Sequence, residues 1–366
     1  MSAYRSAKVR SGKVAHRQAI DSIGRAVYSS APEVSPMSTS LSPRILLVGA
    51  GAVGAIYGMV LARGGAKVAF RIRPKYRAEL TGGMTLFRHT LFGAPKVERF
   101  TDYELFDSDE ALSGRTFDQV WLCTSSTALS ADWLKPLAKV TGDATFVLLQ
   151  PGPEDFERLA ALVARERIVR GYIPFISYQA PLEGQRLPEP GLGLAYLLPP
   201  GMTVPLSGPE TRLAGVAEAL EAGGVRTSEV ADVGPLLATG AAVLMPLIAA
   251  LELSDWSMKT LRRSKTFALA LGAARESLDI ATAQAGAARP LFLPFLRPAC
   301  LAPLVALAPM AFPFDLEVYL RYHFTKVGDQ TLAMLNQVQT EGLRQGKSTG
   351  ELETLIDALV VSRNRV

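Results

Sequence analysis

The chain has 366 residues, of which 48% are hydrophobic and 20% charged, a composition that excludes an intrinsically disordered protein. The net charge is +5, but residues 1–42 carry +4 of it (six Lys/Arg against two acids), so the rest is nearly neutral and offers little attraction to nucleic acid. The only cysteines, Cys123 and Cys300, lie in apolar runs, which argues against a disulfide framework and for a reducing compartment.

The first 42 residues differ in composition from the rest of the chain. They are rich in Ser, Ala and Arg, poor in acids, and lack a continuous apolar stretch, which argues against a secretory signal peptide. Two interpretations stay open: a transit peptide, or a disordered or mistranslated leader ahead of a true start at Met37. We therefore expect a cytoplasmic protein, or an organellar one if residues 1–36 are a transit peptide.

A glycine-rich motif follows the first predicted strand. The apolar run Arg44–Val48 leads into Gly49-Ala50-Gly51-Ala52-Val53-Gly54, which matches G-x-G-x-x-G, and a helical run covers Ala52–Arg63. In this motif the first glycine makes a tight turn, the second lets a pyrophosphate approach the backbone, and the third lets the helix pack on the strand. The N–H groups of Ala52 and Val53 would then bind the diphosphate of a dinucleotide. A purely structural turn is the alternative.

The end of the second predicted strand carries cations and no acid. It reads Val68-Ala69-Phe70-Arg71-Ile72-Arg73-Pro74-Lys75-Tyr76-Arg77, and strand alternation places Arg71 and Arg73 on one face. NAD sites usually have Asp or Glu here, whereas the 2′-phosphate of NADP favours Arg, which can donate two hydrogen bonds to it. The pattern predicts NADPH as the cofactor, with Arg73 on its 2′-phosphate. A solvated basic strand end is the alternative.

Short β-like runs alternate with helical runs from Arg44 to about Val230. The later strands are predicted at Lys67–Ile72, Gln119–Cys123, Thr145–Leu149, Ile168–Ile173 and Val225–Val230. The later helices are predicted at Leu129–Val140, Pro153–Ala164 and Pro209–Ala222, with a hairpin and loop at Pro181–Gly201. This order predicts a doubly wound parallel sheet, an α/β Rossmann domain at residues 43–230.

The strand pattern disappears after Val230. Helical runs follow at Leu236–Leu253, Met258–Gln284, Leu316–Gln345 and Thr349–Val361, which predicts an all-α domain at residues 231–366. Val233–Leu251 and Leu291–Phe314 are apolar enough to resemble membrane spans, but their prolines favour helices of a bundle. We therefore expect no membrane partner, and Leu291–Phe314 is instead a candidate homodimer interface.

Taken together, these stretches resemble the ketopantoate reductase (2-dehydropantoate 2-reductase) family. The matching residues are GAGAVGAIYG at 49–58, FRIRP at 70–74, Leu122-Cys123-Thr124-Ser125-Ser126 and Leu148-Leu149-Gln150-Pro151-Gly152. The resemblance implies a Rossmann domain joined to an all-helical domain of the 6-phosphogluconate dehydrogenase C-terminal type, with NADPH in the cleft and a 2-oxo acid as substrate. It also places Gly49, Gly51, Gly54 and Arg73 at the family's pyrophosphate and 2′-phosphate positions.

The substrate side departs from this family. Ser125 stands where the family usually has a lysine, and Gln150-Pro151-Gly152 replaces its Q/H-N-G turn beside the nicotinamide. Apolar residues stand at or near its general-acid lysine, two asparagines and substrate-binding glutamate, namely Leu237, Ala241, Met245 and Leu332. Conventional ketopantoate reduction thus lacks its usual proton donor. Ser125 and Gln150 are expected to contact the cofactor, although Ser125 equally suits the cap of the next helix.

A polar stripe near the C-terminus is the candidate replacement for the lost acid. If Leu316–Gln345 is helical, one face carries Tyr319, His323, Lys326 and Gln330. His323 or Lys326 is therefore predicted to donate the proton; the alternative is a solvent-facing stripe with a Lys326–Asp329 ion pair. The three histidines are scattered and no ligand spacing occurs, so we expect no metal site.

The sequence therefore predicts an NADPH-dependent oxidoreductase that resembles ketopantoate reductase. It would transfer hydride to a carbonyl or imine carbon of a small-molecule substrate, and the apolar replacements suggest that this substrate is apolar. Two alternatives stay open. One is a catalytically silent NADPH-binding sensor or scaffold, and the other is a conventional 2-dehydropantoate 2-reductase in which unrelated residues take over the lost roles.

Overall fold

The structure of the protein is a computed structural model that describes residues 42–91, 93–326 and 328–365. Residues 42–366 group into one compact unit. The leader predicted at residues 1–42 lies outside the described residues except for Ser42.

The described strands form two sheets. The strands are β1 (Arg44–Val48), β2 (Lys67–Arg71), β3 (Met84–Arg88), β4 (Lys96–Phe100), β5 (Glu104–Phe106), β6 (Gln119–Leu122), β7 (Thr145–Leu148), β8 (Ile168–Gly171), β9 (Ile176–Ala180), β10 (Gly193–Leu197), β11 (Thr203–Ser207) and β12 (Arg226–Glu229). The larger sheet has the order β12-β11-β8-β7-β6-β1-β2-β5, and the smaller has the order β4-β3-β10-β9.

The larger sheet is the predicted doubly wound sheet. Its neighbours pair in parallel except β8 and β11, and β1 lies between β2 and β6, where the strand order reverses. Every predicted strand forms, most of them ending one or two residues earlier than predicted. The strands end early because the chain turns away from the sheet into the loops that form the site. The Cys123 N–H, one residue after β6, still donates to Val48 O at 3.0 Å. The predicted α/β fold class is confirmed.

The sequence predicted a hairpin and loop at Pro181–Gly201; of the smaller sheet only β10 lies in this range, and β9 ends just before it. β4 carries three charged residues and only its last residue is buried, and β3 has only five residues, so both gave a weak signal. The helix after β1 lies between the two sheets. Gly58 of this helix is so close to Phe70 of the larger sheet that an added Cβ would lie 2.6 Å from its ring, and the helix also contacts β9 and β10.

Helices cover the sheets and form the C-terminal part. They are α1 (Ala52–Arg63), α2 (Arg77–Leu80), α3 (Ala131–Val140), α4 (Pro153–Ala160), α5 (Glu210–Ala222), α6 (Gly234–Glu252), α7 (Met258–Leu261), α8 (Lys265–Gln284), α9 (Pro298–Leu307), α10 (Leu316–Lys326), α11 (Gly328–Arg344) and α12 (Gly350–Arg363). In the described part of the chain, strands end at Glu229 and only helices follow. The predicted division at residue 231 lies close to this change and stays a prediction.

Helices α6, α8 and α12 form the centre of the C-terminal part. Their contact is apolar, with buried side chains such as Ala249, Leu271 and Leu355. An ion pair crosses it, because Arg363 donates to both carboxylate oxygens of Glu252 at 2.7 and 2.8 Å. One predicted helix is divided in the structure, since Met258–Gln284 becomes α7 and α8. Leu316–Gln345 is helical on both sides of residue 327, which lies outside the described residues.

Two apolar stretches meet the length and hydropathy expected of membrane spans. Gly234–Glu252 does so alone, with 39% of its most apolar window buried, and Pro298–Ala311 with Leu316–Lys326 does so as a pair bent by 96°. This is a weak signal, because core helices of soluble proteins pass the same test. Here α6 packs against α8 and α12. The expected absence of a membrane partner stays a prediction.

The segment around α9 exposes apolar side chains. Leu291 is 94% exposed, Met310 81%, Leu304 61% and Leu307 57%. Large apolar areas on a protein surface commonly mark contact sites. A homodimer through this segment stays a prediction.

Candidate functional site

The glycine motif forms a tight turn at the carboxyl end of β1. Gly49 has φ +102°, a conformation that favours glycine, and its N–H donates to Arg71 O at 3.0 Å. Gly54 lies directly against this turn, since a Cβ at Gly54 would be 2.0 Å from Gly49 O. At Gly51 an added Cβ would meet nothing within 4 Å. The turn therefore needs glycine at two positions for its own packing, whereas Gly51 borders open space.

The N-terminus of α1 offers unpaired N–H groups beside Gly51. Hydrogen bonding in the helix begins with Ala55 N–H, which donates to Gly51 O at 2.9 Å. The N–H groups of Ala52 and Val53 precede it, and neither has an acceptor among the described residues. No side chain caps this end and the first turn holds no acid, so its partial positive charge is uncompensated. This end of the helix suits a diphosphate.

Two of the arginines at and after the end of β2 are already paired. Arg71 Nε donates to Asp109 Oδ1 at 2.8 Å, and Arg77 Nε donates to Asp107 Oδ2 at 2.7 Å, a bond that lowers the pKa of Asp107. Arg73 begins the short 3₁₀ turn after β2, is exposed, and has no partner among the described residues. Arg73 is thus the free guanidinium here, whereas Arg71 stabilises the sheet edge.

The loop after β6 faces the glycine turn. The Thr124 hydroxyl is buried without a partner, and a Cβ at Gly49 would lie 3.4 Å from Thr124 Cγ2. Burial raises the pKa of the Cys123 thiol, which keeps it protonated. Ser125 is exposed, and its Oγ lies 3.1 Å from Thr127 Oγ1. Ser125 precedes a 3₁₀ turn without capping it through its side chain, so it stays available to a ligand.

Gln150 holds this loop instead of pointing into open space. Its side chain is buried, and Nε2 donates to Leu122 O at 2.9 Å and to Thr124 O at 2.6 Å. Oε1 accepts from Leu149 N–H at 3.2 Å. The amide thus ties the ends of β6 and β7 together and fixes the position of Thr124. Direct contact of Gln150 with the cofactor stays a prediction.

A buried carboxylate fixes the turn after β7. Asp155 accepts from Ser126 Oγ at 2.7 Å, from Gly152 N–H at 3.1 Å and from Arg158 Nη1 at 3.1 Å. These bonds join the loop after β6 to the start of α4. Sequence reasoning missed this role, although an acid three residues after Gly152 at a helix start is a capping signal.

A cavity of about 470 Å³ lies between this turn and the C-terminal helices. Pro151 and Gly152 form one side, and residues of α6, α8 and α11 form the others. Of the four apolar replacements noted in the sequence, Ala241 and Met245 line this cavity. Leu237 and Leu332 are not among its lining residues; Leu237 is buried elsewhere on α6.

Ser277 is a lining residue that sequence reasoning missed. It lies on α8, its side chain is 1% exposed, and its hydroxyl has no partner among the described residues. A single serine inside a long apolar helix gives no distinctive sequence signal. Only the cavity shows that its environment differs from that of an ordinary core residue.

The predicted proton donors lie away from this cavity. The His323 ring stacks on Tyr319 with centroids 5.7 Å apart, and burial together with nearby Lys326 lowers the His323 pKa. A lowered pKa leaves the imidazole neutral near pH 7, where it is a poor acid. Lys326 is exposed, and neither residue lines the cavity. Their role as donors stays a prediction.

The predicted polar stripe spans residue 327, which lies outside the described residues. The chain is helical on both sides of it, at Leu316–Lys326 and Gly328–Arg344. The alternative ion pair of Lys326 with Asp329 is absent among the described residues. A single face that carries Tyr319, His323, Lys326 and Gln330 stays a prediction.

A second cavity, of about 530 Å³, opens at the opposite edge of the larger sheet. Its lining includes Gln119 and Thr145, the first residues of β6 and β7. Ligands of doubly wound sheets bind at the carboxyl ends of the strands, so the first cavity is the candidate site. Among the described residues, no three or more His, Cys, Asp or Glu side chains are arranged to hold a metal ion.

Comparison with known proteins agrees with this geometry. Residues 45–183 match the family model described as ketopantoate reductase PanE/ApbA. No curated protein matches the chain in sequence.

Solved structures extend the similarity to the whole fold. The 2-dehydropantoate 2-reductase of Geobacter metallireducens is 19% identical with a TM-score of 0.64, covering 87% of this chain and 99% of its own. A PanE/ApbA family ketopantoate reductase of Ralstonia eutropha is 18% identical with a TM-score of 0.63, covering 88% and 99%. A D-mandelate dehydrogenase with NADH and anilino(oxo)acetate is 15% identical with a TM-score of 0.63, covering 88% and 98%. At these identities the likeness shows the fold, and the predicted family resemblance is confirmed.

Two glycine substitutions separate packing from ligand binding. Gly51→Ala adds a methyl group to open space, so the melting temperature should stay unchanged while affinity for a nicotinamide dinucleotide falls by about tenfold or more. Gly54→Ala places the methyl group against Gly49 O and should lower the melting temperature by several degrees. Thermal unfolding and calorimetric titration check both predictions. Unchanged dinucleotide affinity in Gly51→Ala would contradict diphosphate binding at this turn.

Proposed function

We propose that the protein transfers hydride from NADPH to the carbonyl or imine carbon of a small apolar substrate. The proposal proceeds from the match of residues 45–183 to the ketopantoate reductase family model. The observation that carries the proposal is the position of the 470 Å³ cavity. It begins at the turn after β7, on the edge of the sheet that also carries the glycine turn and the free end of α1. Cofactor and substrate would meet there.

The choice of NADPH over NADH rests on the end of β2. A ribose 2′-OH needs a free carboxylate, but Asp107 and Asp109 are both paired with arginines. The Arg73 side chain has no partner among the described residues and can donate two hydrogen bonds to a 2′-phosphate. The D-mandelate dehydrogenase of this fold holds NADH, so the fold alone does not choose between the coenzymes. The local residues favour NADPH.

The reaction needs one hydride and one proton. Hydride adds to the substrate carbon, the π electron pair of the C=O or C=N bond moves to the heteroatom, and that atom takes a proton. His323 and Lys326 do not line the cavity, and Ala241 and Met245 carry no proton. We assign the proton to solvent water entering at the polar rim, beside Gln337 and Glu341.

The lack of a cationic proton donor in the cavity lining also favours a second candidate. No lysine, arginine or histidine is among the lining residues, so a catalytically silent NADPH-binding sensor fits the same geometry. Conventional 2-dehydropantoate 2-reduction is the third candidate and is the least supported, because Ala241 and Met245 stand where the family binds its substrate.

We also propose a cytoplasmic location. Both cysteines are free, and Cys300 is exposed on α9. Exposed thiols persist in reducing compartments.

A substrate screen tests the function. NADPH oxidation should be detected with apolar aldehydes, ketones or imines, since the cavity walls are largely apolar. The absorbance of NADPH gives the readout, and enzyme without substrate is the control. Tight NADPH binding without turnover of any compound would favour the silent sensor.

Arg73→Asp tests the coenzyme assignment. Loss of charge-assisted hydrogen bonds, worth about 1.5–3 kcal/mol, should raise the Kd for NADPH by roughly ten- to a hundredfold and leave NADH binding little changed. Arg186→Asp is the matched control, because Arg186 is also exposed and without a partner but lies in the β9–β10 connection. An unchanged preference in Arg73→Asp contradicts the assignment.

The double variant His323→Asn/Lys326→Met tests the source of the proton. If water supplies it, kcat should change by no more than about threefold, whereas loss of a true general acid costs about 10²–10⁴. Steady-state kinetics with the best substrate of the screen check this. A fall in kcat of about 10²–10⁴ would instead identify His323 or Lys326 as the proton donor.

A further inference from the structure

The Ser277 hydroxyl lacks the partner that buried helical serines normally have. Such a hydroxyl usually donates to the carbonyl four residues earlier, as the Ser254 hydroxyl, in the turn that follows α6, does to Ala250 O at 2.8 Å. Ser277 Oγ has no partner among the described residues, although the side chain is 1% exposed. Leaving a buried polar group unpaired is unfavourable, so it calls for an explanation. A ligand in the adjoining cavity supplies one.

The walls around Ser277 are apolar. Ala241, Ala242 and Met245 of α6 face Ile280 and Ala281 of α8 across the cavity, and α11 adds Leu335 and Val338. The volume of about 470 Å³ lies within the range of small-molecule sites. A ligand here would be held mainly through its hydrocarbon part, with Ser277 as its deep polar contact.

The charged lining residues are both acids. Glu341 pairs with Arg344 through two bonds of 2.6 and 2.7 Å, which together with Gln345 hold the pKa of Glu341 at about 2. Among the described residues, Glu154 accepts only from Gln337, at 3.3 Å, so its charge is not neutralised by a cation. A substrate carboxylate would lose water here, meet the unneutralised carboxylate of Glu154 and find no lysine, arginine or histidine in the lining.

We infer that the cavity selects an uncharged, largely hydrocarbon carbonyl compound, whose oxygen accepts a hydrogen bond from Ser277, and that it rejects 2-oxo acids. This inference rests on the proposed function and names its substrate class. In the reaction, hydride adds to the carbonyl carbon, the C=O π pair moves to the oxygen, and Ser277 holds that oxygen until water protonates it. Ser277 is therefore a binding residue that also stabilises developing charge.

Equilibrium binding tests the charge preference without requiring turnover. Cyclohexanecarboxamide and cyclohexanecarboxylate have nearly the same shape and differ in charge. In calorimetric titrations with NADPH present, the amide should bind more tightly by about tenfold or more. Equal or tighter binding of the carboxylate would overturn the inference.

Turnover separates this inference from the proposed function. Cyclohexyl methyl ketone should have a higher kcat/KM than cyclohexyl-2-oxoacetate. If the amide binds selectively but no compound oxidises NADPH, the selectivity of the cavity stands and the oxidoreductase proposal fails. If the 2-oxo acid is the better substrate, the oxidoreductase proposal stands and the inference fails.

Ser277→Ala tests the hydrogen bond. The substitution should weaken amide binding by about fivefold or more while the melting temperature stays unchanged or rises, because the hydroxyl has no partner to lose. Ser254→Ala is the matched control: it removes a paired, buried hydroxyl outside the cavity, in the turn after α6, so it should lower the melting temperature and leave binding unchanged. A Ser277→Ala protein that is less stable and binds the amide normally would show a structural role instead.

Discussion

The absence of a side chain at Gly54 is the constraint on which the cofactor site depends. It lets the first turn of α1 pack directly against the Gly49 carbonyl, so the free N–H groups of the helix face the space over Gly51. The far end of α1 is fixed in the same way, since a Cβ at Gly223 of the turn after α5 would lie 2.2 Å from Val60 O. With sheets on both sides, α1 has little freedom to move. Its electropositive end is therefore placed before any ligand arrives, which lowers the cost of ordering on binding.

The loops at the carboxyl edge are held by buried polar side chains and not by regular structure. Gln150 bonds the backbone of the loop after β6, and Asp155 joins that loop to the turn after β7. Each group satisfies several donors or acceptors, so the two loops are rigid relative to each other. The turn at Pro151 then serves as a fixed wall on which the helical part closes the cavity. Among the described residues, the cofactor side is held by these polar bonds and leaves the Thr124 hydroxyl unpaired, whereas the helical side of the cavity is largely apolar and leaves the Ser277 hydroxyl unpaired.

The sequence predicted the fold and the cofactor side well because both depend on local signals. The strand, glycine turn and helix at residues 44–63 are contiguous, and the cations after β2 are read directly from the chain. The small sheet was predicted only in part, because β3 pairs with β10 more than a hundred residues away in the chain and a strand of five residues gives little local signal. Ser277 could not be identified from sequence, because its role arises from the meeting of α6, α8 and α11 around a cavity.

The central claim is that this chain binds a phosphorylated nicotinamide dinucleotide at the glycine turn. Calorimetric titration of the purified protein with NADPH and, separately, with NADH tests it most directly. The account predicts saturable heat with one NADPH per chain and clearly weaker association of NADH, because Arg73 is the unpaired cation at the end of β2. Absence of association with both coenzymes would contradict it.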